Sequence, residues 1–328
     1  MIRDPGELAD AAGLGVTAAA FLGSAGAREA ARRFPLRVPR ELVGRMRHGD
    51  ASDPLLRQFA PTADEVRQAA GWTVDPLAEA EASPVPGVLH KYRGRVLLIV
   101  TGACPVHCRY CFRRHFPYGE HALSEEAQER AIDYVRADTS IREVILSGGD
   151  PLSLDDDALA ALEAKLSDVP HLRRLRIHTR WPIAIPARVN AALLDWLGGS
   201  RLRPLIVVHA NHPAEIDDGV VAALGSLRGR GLTVLNQSVL LRGVNDSADV
   251  LCALSESLDG AGVLPYYLHL LDPVEGAAHF AVGEVEAREL VRSVAARLPG
   301  YLVPRLVREE AGSPAKTLLA AAAAIALE

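Results

Sequence analysis

The sequence predicts an α/β protein: a partial barrel of six strand–helix units, preceded by a helical extension and followed by a short C-terminal segment. Short apolar, β-branched runs alternate with longer amphipathic stretches from about residue 88 onward. The runs are nearly continuously apolar, as in a parallel sheet whose outer face is covered by helices. Polar residues cluster near the carboxyl ends of these runs, where barrel-type sheets place their ligands.

The first 87 residues form the predicted N-terminal helical extension. Alanine-rich stretches with polar faces are interrupted by prolines at positions 35, 39, 54, 61 and 76, and no β alternation is evident. We therefore expect short helices and loops in this segment. The run FPLRVPRELVGRM indicates an extended entry into a helix, with Pro39 near the first turn.

The predicted barrel spans residues 88–299. Its six strands are expected at RVLLIVT (95–101), EVILSG (143–148), RLRIHT (174–179), PLIVVHA (204–210), LTVLNQSVL (232–240) and LPYYLHLL (264–271). Helices are expected between them, within SEEAQERAIDYVRA, DDDALAALEAKL, PARVNAALLDWL and EIDDGVVAALGSL. Six such units fit either a doubly wound sheet or an incomplete barrel.

Polar residues near the ends of the later strands distinguish between these two architectures. They are His178, Thr179, His209, Asn211, Asn236, Gln237, His269 and Asp272. Groups that converge from several strands favour one shared mouth, so we predict the partial barrel. Residues 300–328 form the predicted C-terminal segment, with one last strand, a loop containing glycine and proline, and a helical tail.

Composition and charge exclude several classes of protein. The 328 residues carry a formal net charge of -5 with a pI near 6.1, which does not indicate a general nucleic-acid surface. The longest apolar runs, such as 318–327, fall short of a membrane span, and the N-terminus MIRDPGELAD lacks the layout of a signal peptide. We therefore expect a cytoplasmic protein that binds neither nucleic acid nor membrane.

Three of the four cysteines lie close together, in a loop directly after the first predicted barrel strand: Cys104, Cys108 and Cys111. In a reducing compartment, such a cluster is more typical of a metal site than of disulfides. The C-x3-C-x2-C spacing allows three thiolates to bind three irons of a [4Fe–4S] cluster, which leaves the fourth iron for a small chelating molecule. Cys252 stands alone in a helical pattern and is expected in the core.

A structural zinc site completed by His107 or His115 is the main alternative, although zinc sites commonly pair two cysteine knuckles and no second knuckle is present. The cysteine spacing and its place after a first strand resemble the radical S-adenosylmethionine (SAM) superfamily. That resemblance implies that SAM chelates the fourth iron through its amino and carboxylate groups, and that electron transfer to SAM produces a 5′-deoxyadenosyl radical. It also implies an external electron donor.

A second motif, the sequence SGGDP at 147–151, follows the second predicted strand. Glycines let the backbone approach a ligand closely, although the same residues suit an ordinary turn between strand and helix. The motif resembles the GGDP element that holds the SAM amino group in this superfamily. The resemblance therefore implies SAM contacts at Gly148, Gly149 and Asp150, and an adenine contact at Tyr110, just before the third cysteine.

Over nearly the whole chain, the sequence resembles the lysine 2,3-aminomutase family. The segments that carry the resemblance are HKYRGRVLLIVTGAC, CRYCFRRHF, SGGDPL, LNQSVLLRGVND and LPYYLHLLDPVEGAAHF. Within the family, FPLRVPREL, DPLLRQF, VPGVLHKYR and the short C-terminus resemble the elongation factor P (R)-β-lysylation protein B branch. The resemblance implies conversion of (S)-α-lysine into (R)-β-lysine, which a separate ligase attaches to elongation factor P.

The same resemblance implies pyridoxal 5′-phosphate (PLP) as a further cofactor, and PLP needs a lysine. The chain has three lysines: Lys91, Lys165 and Lys316. Lys165 is expected on an exposed helix face and Lys91 before the first strand. Lys316 follows a Gly-Ser-Pro loop, where the family places its PLP lysine. Without the resemblance, Lys316 has the pattern of a solvated tail lysine.

Residues near the first barrel strand match the family's contacts to the PLP phosphate. Tyr92 and Arg95 precede Cys104 by 12 and 9 positions, as the family's phosphate-binding residues do. A guanidinium fork suits phosphate oxygens, and a phenol adds one donor. Without the resemblance, Tyr92 and Arg95 are typical of surface residues at the edge of a strand. Gln237 is a further polar contact that the resemblance places at the cofactor.

The resemblance also implies a site for lysine, which presents one carboxylate and two amines. Arg113 matches the family's carboxylate-binding arginine, and Asp272 matches an amine-binding aspartate. Glu309, seven residues before Lys316, stands where the free-lysine aminomutases carry Asp and where the protein B branch carries Glu. Each of these three charges alone is typical of a solvated residue or a salt bridge.

Three other functions stay open at this point. One is a free-lysine or other amino acid 2,3-aminomutase. Those enzymes have a longer C-terminal segment and a glycine-rich run before the PLP lysine, whereas this chain stops 12 residues after Lys316, so we predict neither their zinc nor their tetramer. The second is an inactive Fe–S or zinc binding module, which needs no such combination of cysteines, lysine and charges. The third, a PLP enzyme without radical chemistry, leaves the cysteine loop unexplained.

Overall fold

The structure is a computed structural model of the chain, and it describes residues 1–121 and 124–319. Within these residues, nine strands form one sheet, in which the strands follow one another in chain order. They are β1 (Val88–Tyr92), β2 (Arg95–Thr101), β3 (Glu143–Gly148), β4 (Arg174–Thr179), β5 (Arg203–Val208), β6 (Thr233–Val239), β7 (Leu264–His269), β8 (Arg305–Arg308) and β9 (Thr317–Leu318).

Helices fill both the N-terminal extension and the connections between strands. Those of the extension are α1 (Pro5–Ala11), α2 (Val16–Leu22), α3 (Ala25–Arg33), α4 (Arg40–Val43) and α5 (Pro54–Phe59). Those that follow are α6 (Tyr118–His121), α7 (Glu125–Ala137), α8 (Asp156–Ser167), α9 (Trp181–Ala184), α10 (Ala191–Gly199), α11 (Asp218–Gly229), α12 (Ala248–Gly260) and α13 (Glu284–Ala295). None of the helices described here is long and apolar enough to cross a bilayer.

The sheet is parallel in its centre and antiparallel at both ends. Strands β2 to β8 pair in parallel, whereas β1 pairs antiparallel with β2 and β9 pairs antiparallel with β8. β1 and β9 are the two edges, so the barrel stays open between them. This is the partial barrel that the sequence predicted, with β1 added at one edge and with β8, the last strand predicted after residue 300, followed by β9 at the other.

Each parallel strand has one face toward the helices and one toward the barrel interior, because successive side chains point to opposite sides. In β4, Leu175 and Ile177 are fully buried in the main hydrophobic core, whereas Arg176 and His178 are partly exposed. The same alternation places Ser147 of β3 and Gln237 of β6 on the inner face. The carboxyl ends of the strands therefore bring polar side chains to one mouth.

All six predicted barrel strands are confirmed as β2 to β7, although β5, β6 and β7 end two, one and two residues before the predicted limits. The helix predicted over 186–197 is split, because Asn190 caps a new helix at Ala191 after a short 3-10 turn. β1 and β9 were not predicted. The helical tail predicted at the C-terminus lies at 320–328, outside the described residues.

The N-terminal extension packs around the cysteine loop. Its buried side chains, including Leu42, Leu55 and Phe59, form a hydrophobic cluster of their own that also takes in Val106 of that loop. Pro39 is the cap residue of α4, close to the predicted first turn. The predicted domain limits at 87/88 and 299/300 stay predictions.

Candidate active site

The cysteine loop lies between β2 and α6, and the N-terminal extension fixes its backbone. His107 N–H donates to Arg37 O at 2.9 Å, and Arg109 N–H donates to Gln58 O at 2.8 Å. The ring of His107 also contacts the carbonyl of Pro35, with 2.7 Å between Nδ1 and O. The residues between the cysteines are therefore held by main-chain contacts from another part of the chain.

One buried carboxylate binds arginines on both sides of the third cysteine. Glu65 accepts from Arg109 Nη2 at 2.6 Å and from Arg114 Nη2 at 2.7 Å, and all three side chains are almost fully buried. Arg109 also donates to the carbonyls of Phe34 and Ala30. Since a buried guanidinium needs such partners, Glu65 ties the cysteine loop to the extension.

The three thiols lie in a desolvated environment. Cys104, Cys108 and Cys111 are half-buried, and burial raises the pKa of all three, that of Cys111 to about 11. Charge repulsion from Cys108 and Cys111 also raises the pKa of the Cys104 thiol, and repulsion from Cys108 raises that of Cys111. Thiols of this kind ionise when a metal replaces their protons, so the donor set fits an iron–sulfur cluster. Cys252 is buried in α12, as expected.

The arrangement does not correspond to a single-ion site. Within residues 1–121 and 124–319, no group of three or more His, Cys, Asp or Glu side chains is placed to hold one metal ion. The alternative ligand His115 contacts the carbonyl of Glu275, with 3.1 Å between Nε2 and O. Thiolates of a cubane bind different irons and do not need to meet at one point.

The SGGDP motif packs directly against the start of the cysteine loop. Gly149 N–H donates to Thr101 O and Asp150 N–H donates to Ala103 O, both at 2.7 Å. A Cβ on Gly149 would lie 2.4 Å from Ala103 O, so only glycine allows this approach. The glycines and these two N–H groups therefore hold the loop, and the SAM contacts expected at Gly148, Gly149 and Asp150 stay predictions.

The carboxylate of Asp150 joins the ends of neighbouring strands. It accepts from Thr179 Oγ1 at 2.8 Å and from Arg180 N–H at 2.6 Å, just after β4. Burial raises its pKa to about 7. The Gly148 carbonyl accepts from Tyr118 Oη at 2.8 Å. These contacts place Asp150 beside the cysteine loop as a structural link.

Tyr110 is buried in a polar network beneath the loop. Its hydroxyl accepts from Arg180 Nη1 at 2.5 Å and from Asn211 Nδ2 at 2.6 Å. Arg180 also forms a buried ion pair with Glu215 at 2.5 Å. The ring of Tyr110 packs edge-on against Phe280, 6.2 Å between centroids. Arg180 and Glu215 were not predicted as site residues.

Three histidines face the barrel interior from different strand ends. Among the residues that the structure describes, the Nε2 atoms of His178, His209 and His269 are buried without a hydrogen-bond partner. Burial lowers the pKa of each, those of His209 and His269 to about 3, so all three rings are neutral. An unpaired buried nitrogen is costly, which indicates that polar ligand atoms complete this interior.

A chain of alternating charges lies at the barrel opening, between β1 on one side and the β8–β9 connection on the other. Arg113 binds Glu79 with two hydrogen bonds of 2.7 and 2.8 Å. Lys91 Nζ lies 2.8 Å from Glu79 Oε1 and 2.9 Å from Glu309 Oε1. Lys316 is ion-paired with the other oxygen of Glu309. Three predicted site residues, Arg113, Glu309 and Lys316, are thus brought together by Glu79 and Lys91.

The remaining predicted residues surround this charge chain. Burial, followed by the charge of Glu309, raises the pKa of Asp272 to about 7, while Lys316 and Lys91 act in the opposite direction. Tyr92 is hydrogen-bonded to Glu309, and burial raises its pKa. Arg95 stacks over the Tyr92 ring at 4.6 Å. Within the described residues, no protein acceptor binds the Arg95 guanidinium.

Sequence reasoning missed the parts of this site that have distant partners. The sequence predicts Lys91 before the first strand, but it belongs to β1 and binds two carboxylates of the site. Glu79 lies in a segment without regular structure. Its position between Leu77 and the SPVPG turn gave no chemical signal.

Comparison with known proteins agrees with this geometry. Residues 98–251 match the model of the radical SAM superfamily. The L-lysine 2,3-aminomutase of Escherichia coli (strain K12) is 51% identical over 292 residues, which cover 89% of this chain and 85% of that protein. The chain belongs to the lysine 2,3-aminomutase family. The Haemophilus influenzae L-lysine 2,3-aminomutase is 48% identical, over 89% of this chain and 86% of that protein.

This lysine 2,3-aminomutase family member is an enzyme of the isomerase class. The L-lysine 2,3-aminomutase of Clostridium subterminale is 38% identical over 82% of this chain, which spans only 64% of that longer protein. Radical SAM membership implies a [4Fe–4S] cluster and SAM, and the desolvated thiols on one loop fit such a cluster. The unpaired interior histidines fit a polar ligand beside it.

Proposed function

We propose that this enzyme converts (S)-α-lysine into (R)-β-lysine. The observation that carries the proposal is the charge chain at the barrel opening, together with Asp272. It offers a guanidinium for the substrate carboxylate and two carboxylates for the distal ammonium. A lysine laid between Arg113 and the pair of Glu309 and Asp272 has an opposite charge at each end. The family relatives described above support the same reaction.

Three cofactors fit the site residues. Cys104, Cys108 and Cys111 would hold the [4Fe–4S] cluster, which with SAM and an external electron donor supplies a radical that removes and returns hydrogen. PLP, when bound, supplies the carbonyl to which the migrating nitrogen is attached. Lys316 would hold PLP, because it is a partly buried amine beside Glu309.

The PLP phosphate needs cationic and hydroxyl donors. Arg95 fits this role because its guanidinium stacks on Tyr92 and, in the described part of the chain, has no competing protein acceptor. Tyr92 adds a phenol beside Glu309. Gln237 lies on the inner face of β6 and would supply a further polar side chain. Arg95 and Gln237 would hold the cofactor without using the substrate's charge contacts, whereas Tyr92 shares Glu309 with the substrate site.

The protein's own groups then carry out positioning and protection. Arg113 binds the substrate carboxylate, while Glu309 and Asp272 bind the distal ammonium. This fixes C2 and C3 of lysine at the carboxyl ends of the strands, so that nitrogen moves between these two carbons. Side chains of the barrel interior shield the radical from solvent and so from side reactions.

We propose further that the product serves the modification of elongation factor P, through a separate ligase in the cytoplasm. Glu309 supports this branch, since the free-lysine aminomutases carry Asp there. The segments FPLRVPREL and VPGVLHKYR support it as well. Deletion of the gene should then remove the β-lysyl group from elongation factor P, as seen by intact mass, and added β-lysine should restore it.

The reaction is tested by anaerobic turnover of the reconstituted, reduced enzyme. We expect β-lysine from (S)-α-lysine only when SAM and PLP are both present, with α- and β-lysine separated by chromatography. Product without PLP would contradict the assigned cofactor set. Cleavage of SAM without β-lysine, followed by turnover of another amino acid, would contradict the proposed substrate.

A further inference from the structure

Residues 72–82 of the N-terminal extension form a strap that connects three parts of the site. Thr73 N–H donates to Pro273 O at 2.9 Å, and Glu275 N–H donates to Thr73 O at 2.9 Å, which ties the strap to the loop after β7. At its other end, His90 N–H of β1 donates to Ala82 O at 2.9 Å. Glu79 lies between these two attachments.

The backbone of the strap is arranged to point Glu79 into the site. Ala78 has φ of 49°, in the left-handed region, where a residue other than glycine is strained. The Asp75 carboxylate accepts from the N–H of Glu79 at 3.0 Å and fixes the turn. The Glu79 side chain is 2% exposed. Strain of this kind persists only when surrounding contacts maintain it. Here these are the contacts of the buried Glu79 carboxylate.

Glu79 occupies one edge of the Arg113 guanidinium. It accepts from Nε at 2.7 Å and from Nη2 at 2.8 Å, while Nη1 donates to Ser147 Oγ at 3.1 Å. A guanidinium has five N–H donors, so one on Nη1 and one on Nη2 are left by these contacts in the described residues. A substrate carboxylate can use this second edge while Glu79 keeps the first.

The same carboxylate links the two ends of the substrate site. Through Lys91, Glu79 is connected to Glu309, and each contact in this series measures 2.9 Å or less. The charges are largely buried. A longer distance between Arg113 and Glu309 would break one of these ion pairs and leave its charges unpaired where water does not reach them. The separation between the carboxylate-binding Arg113 and the ammonium-binding Glu309 is therefore fixed by the protein.

We propose that Glu79 is a positioning residue that orients Arg113 and selects the substrate by its chain length. This inference rests on the proposed function, because it takes lysine to lie between Arg113 and Glu309. A substrate one methylene shorter, such as ornithine, cannot reach both groups while the series of ion pairs is intact. Glu79 does not contact the reacting carbons.

The test compares Glu79→Asp and Glu79→Gln with the unaltered holoenzyme, using lysine and ornithine as substrates. Glu79→Gln removes the charged contact to Arg113. It is therefore expected to raise KM for lysine by about 10- to 100-fold, with a much smaller change in kcat. Glu79→Asp keeps the charge but shifts Arg113, so the ratio of kcat/KM for lysine to that for ornithine should fall. If the role of Glu79 were merely structural, its substitution would lower the amount of active enzyme without changing this ratio.

Glu81→Gln is the matched control, since Glu81 is an exposed glutamate two positions along the same strap. It should keep both KM and the substrate ratio. An unchanged ratio and KM in both Glu79 variants, with normal iron and PLP content, would overturn the inference. If unaltered enzyme makes no β-lysine, it is the proposed function that fails, so the two failures are distinguishable.

Discussion

Lys91 and Glu309 connect the two ends of the open sheet. Lys91 Nζ lies 2.9 Å from Glu309 Oε1, although 218 residues separate them in the sequence. Lys91 belongs to β1, and Glu309 follows β8 directly. Because Glu309 also binds Lys316, one carboxylate neutralises two ammonium groups at the barrel opening. The proposed substrate site therefore lies where the barrel does not close.

Two lysines contact Glu309, and the structure distinguishes their roles. Lys91 binds Glu79 as well as Glu309, so its conversion to a neutral group would break two largely buried ion pairs. Among the residues that the structure describes, Lys316 has Glu309 as its one ion-pair partner, and Lys91 continues to neutralise Glu309. We predict that borohydride reduction of the PLP-loaded enzyme, followed by peptide mapping, labels Lys316. Lys316→Ala should lose the label and keep its iron.

Lys91→Ala is the matched control for this prediction. It should still show the label on Lys316, with weaker lysine turnover. A label found on Lys91, or retained in Lys316→Ala, would contradict the assignment of the PLP lysine.

Asp272 is predicted to give lysine recognition a pH dependence. Its pKa is raised to about 7, because burial and the charges of Glu309 and Glu79 outweigh Lys316 and Lys91. Only the ionised carboxylate attracts an ammonium, so the attraction is present above pH 7 and disappears as the pH falls. We predict that kcat/KM for lysine falls about tenfold per pH unit below about 7 and levels off above it.

Asp272→Asn should have low activity, and its kcat/KM should not show this fall at low pH. Asp150 also has a pKa raised to about 7. A fall in kcat/KM at low pH that persists in Asp272→Asn would therefore come from the titration of another group. That outcome would remove Asp272 from the account of pH dependence. Iron content should be measured at each pH.

Gly149 is predicted to be essential for the cysteine loop. An alanine Cβ at this position would lie 2.4 Å from Ala103 O, against backbone that cannot move without displacing Cys104. Gly149→Ala should therefore bind markedly less iron per chain after reconstitution. Gly225→Ala, in α11 with nothing within 4 Å of the added carbon, should bind normal iron and be stabilised by about 1 kcal/mol. Equal iron in both variants would contradict the steric argument.

Glu65 is predicted to stabilise the loop through Arg109 and Arg114. Glu65→Gln removes the charge that compensates two buried guanidinium groups, so the free energy of unfolding should fall by about 3–5 kcal/mol. Anaerobic urea unfolding of the holoprotein measures this change. Glu29→Gln breaks only exposed contacts to Arg32 and Arg33, and should have no measurable effect. If the free energy of unfolding is as little changed in Glu65→Gln as in Glu29→Gln, Glu65 does not stabilise the loop.

The barrel was predictable because its signals are local. Each strand from β2 to β7 is a short apolar run, and the cysteine spacing is contiguous in the sequence. β1 was missed because VLHKY contains two polar positions and pairs through a tight turn at Gly94, whose φ is 79°. β9 has two residues, which is too short to show a period.

The charge chain was only partly predictable, because its members depend on contacts between distant segments. Arg113, Asp272, Glu309 and Lys316 came from resemblance to a family. Glu79 and Lys91 lack any local signal, since their significance comes from contacts 34 and 218 residues away. The SGGDP motif was recognised, but the use of its N–H groups by the cysteine loop depends on how β2 and β3 pair.

The most direct test of the central claim follows the migrating nitrogen. (S)-α-Lysine labelled with ¹⁵N at the α-amine and ¹³C at C3 is turned over anaerobically, and the product is examined by ¹³C NMR. Intramolecular migration predicts a one-bond ¹³C–¹⁵N coupling at C3 of β-lysine. Product whose C3 carries unlabelled nitrogen, or recovered lysine with ¹⁵N still on C2 and no product, would contradict the account.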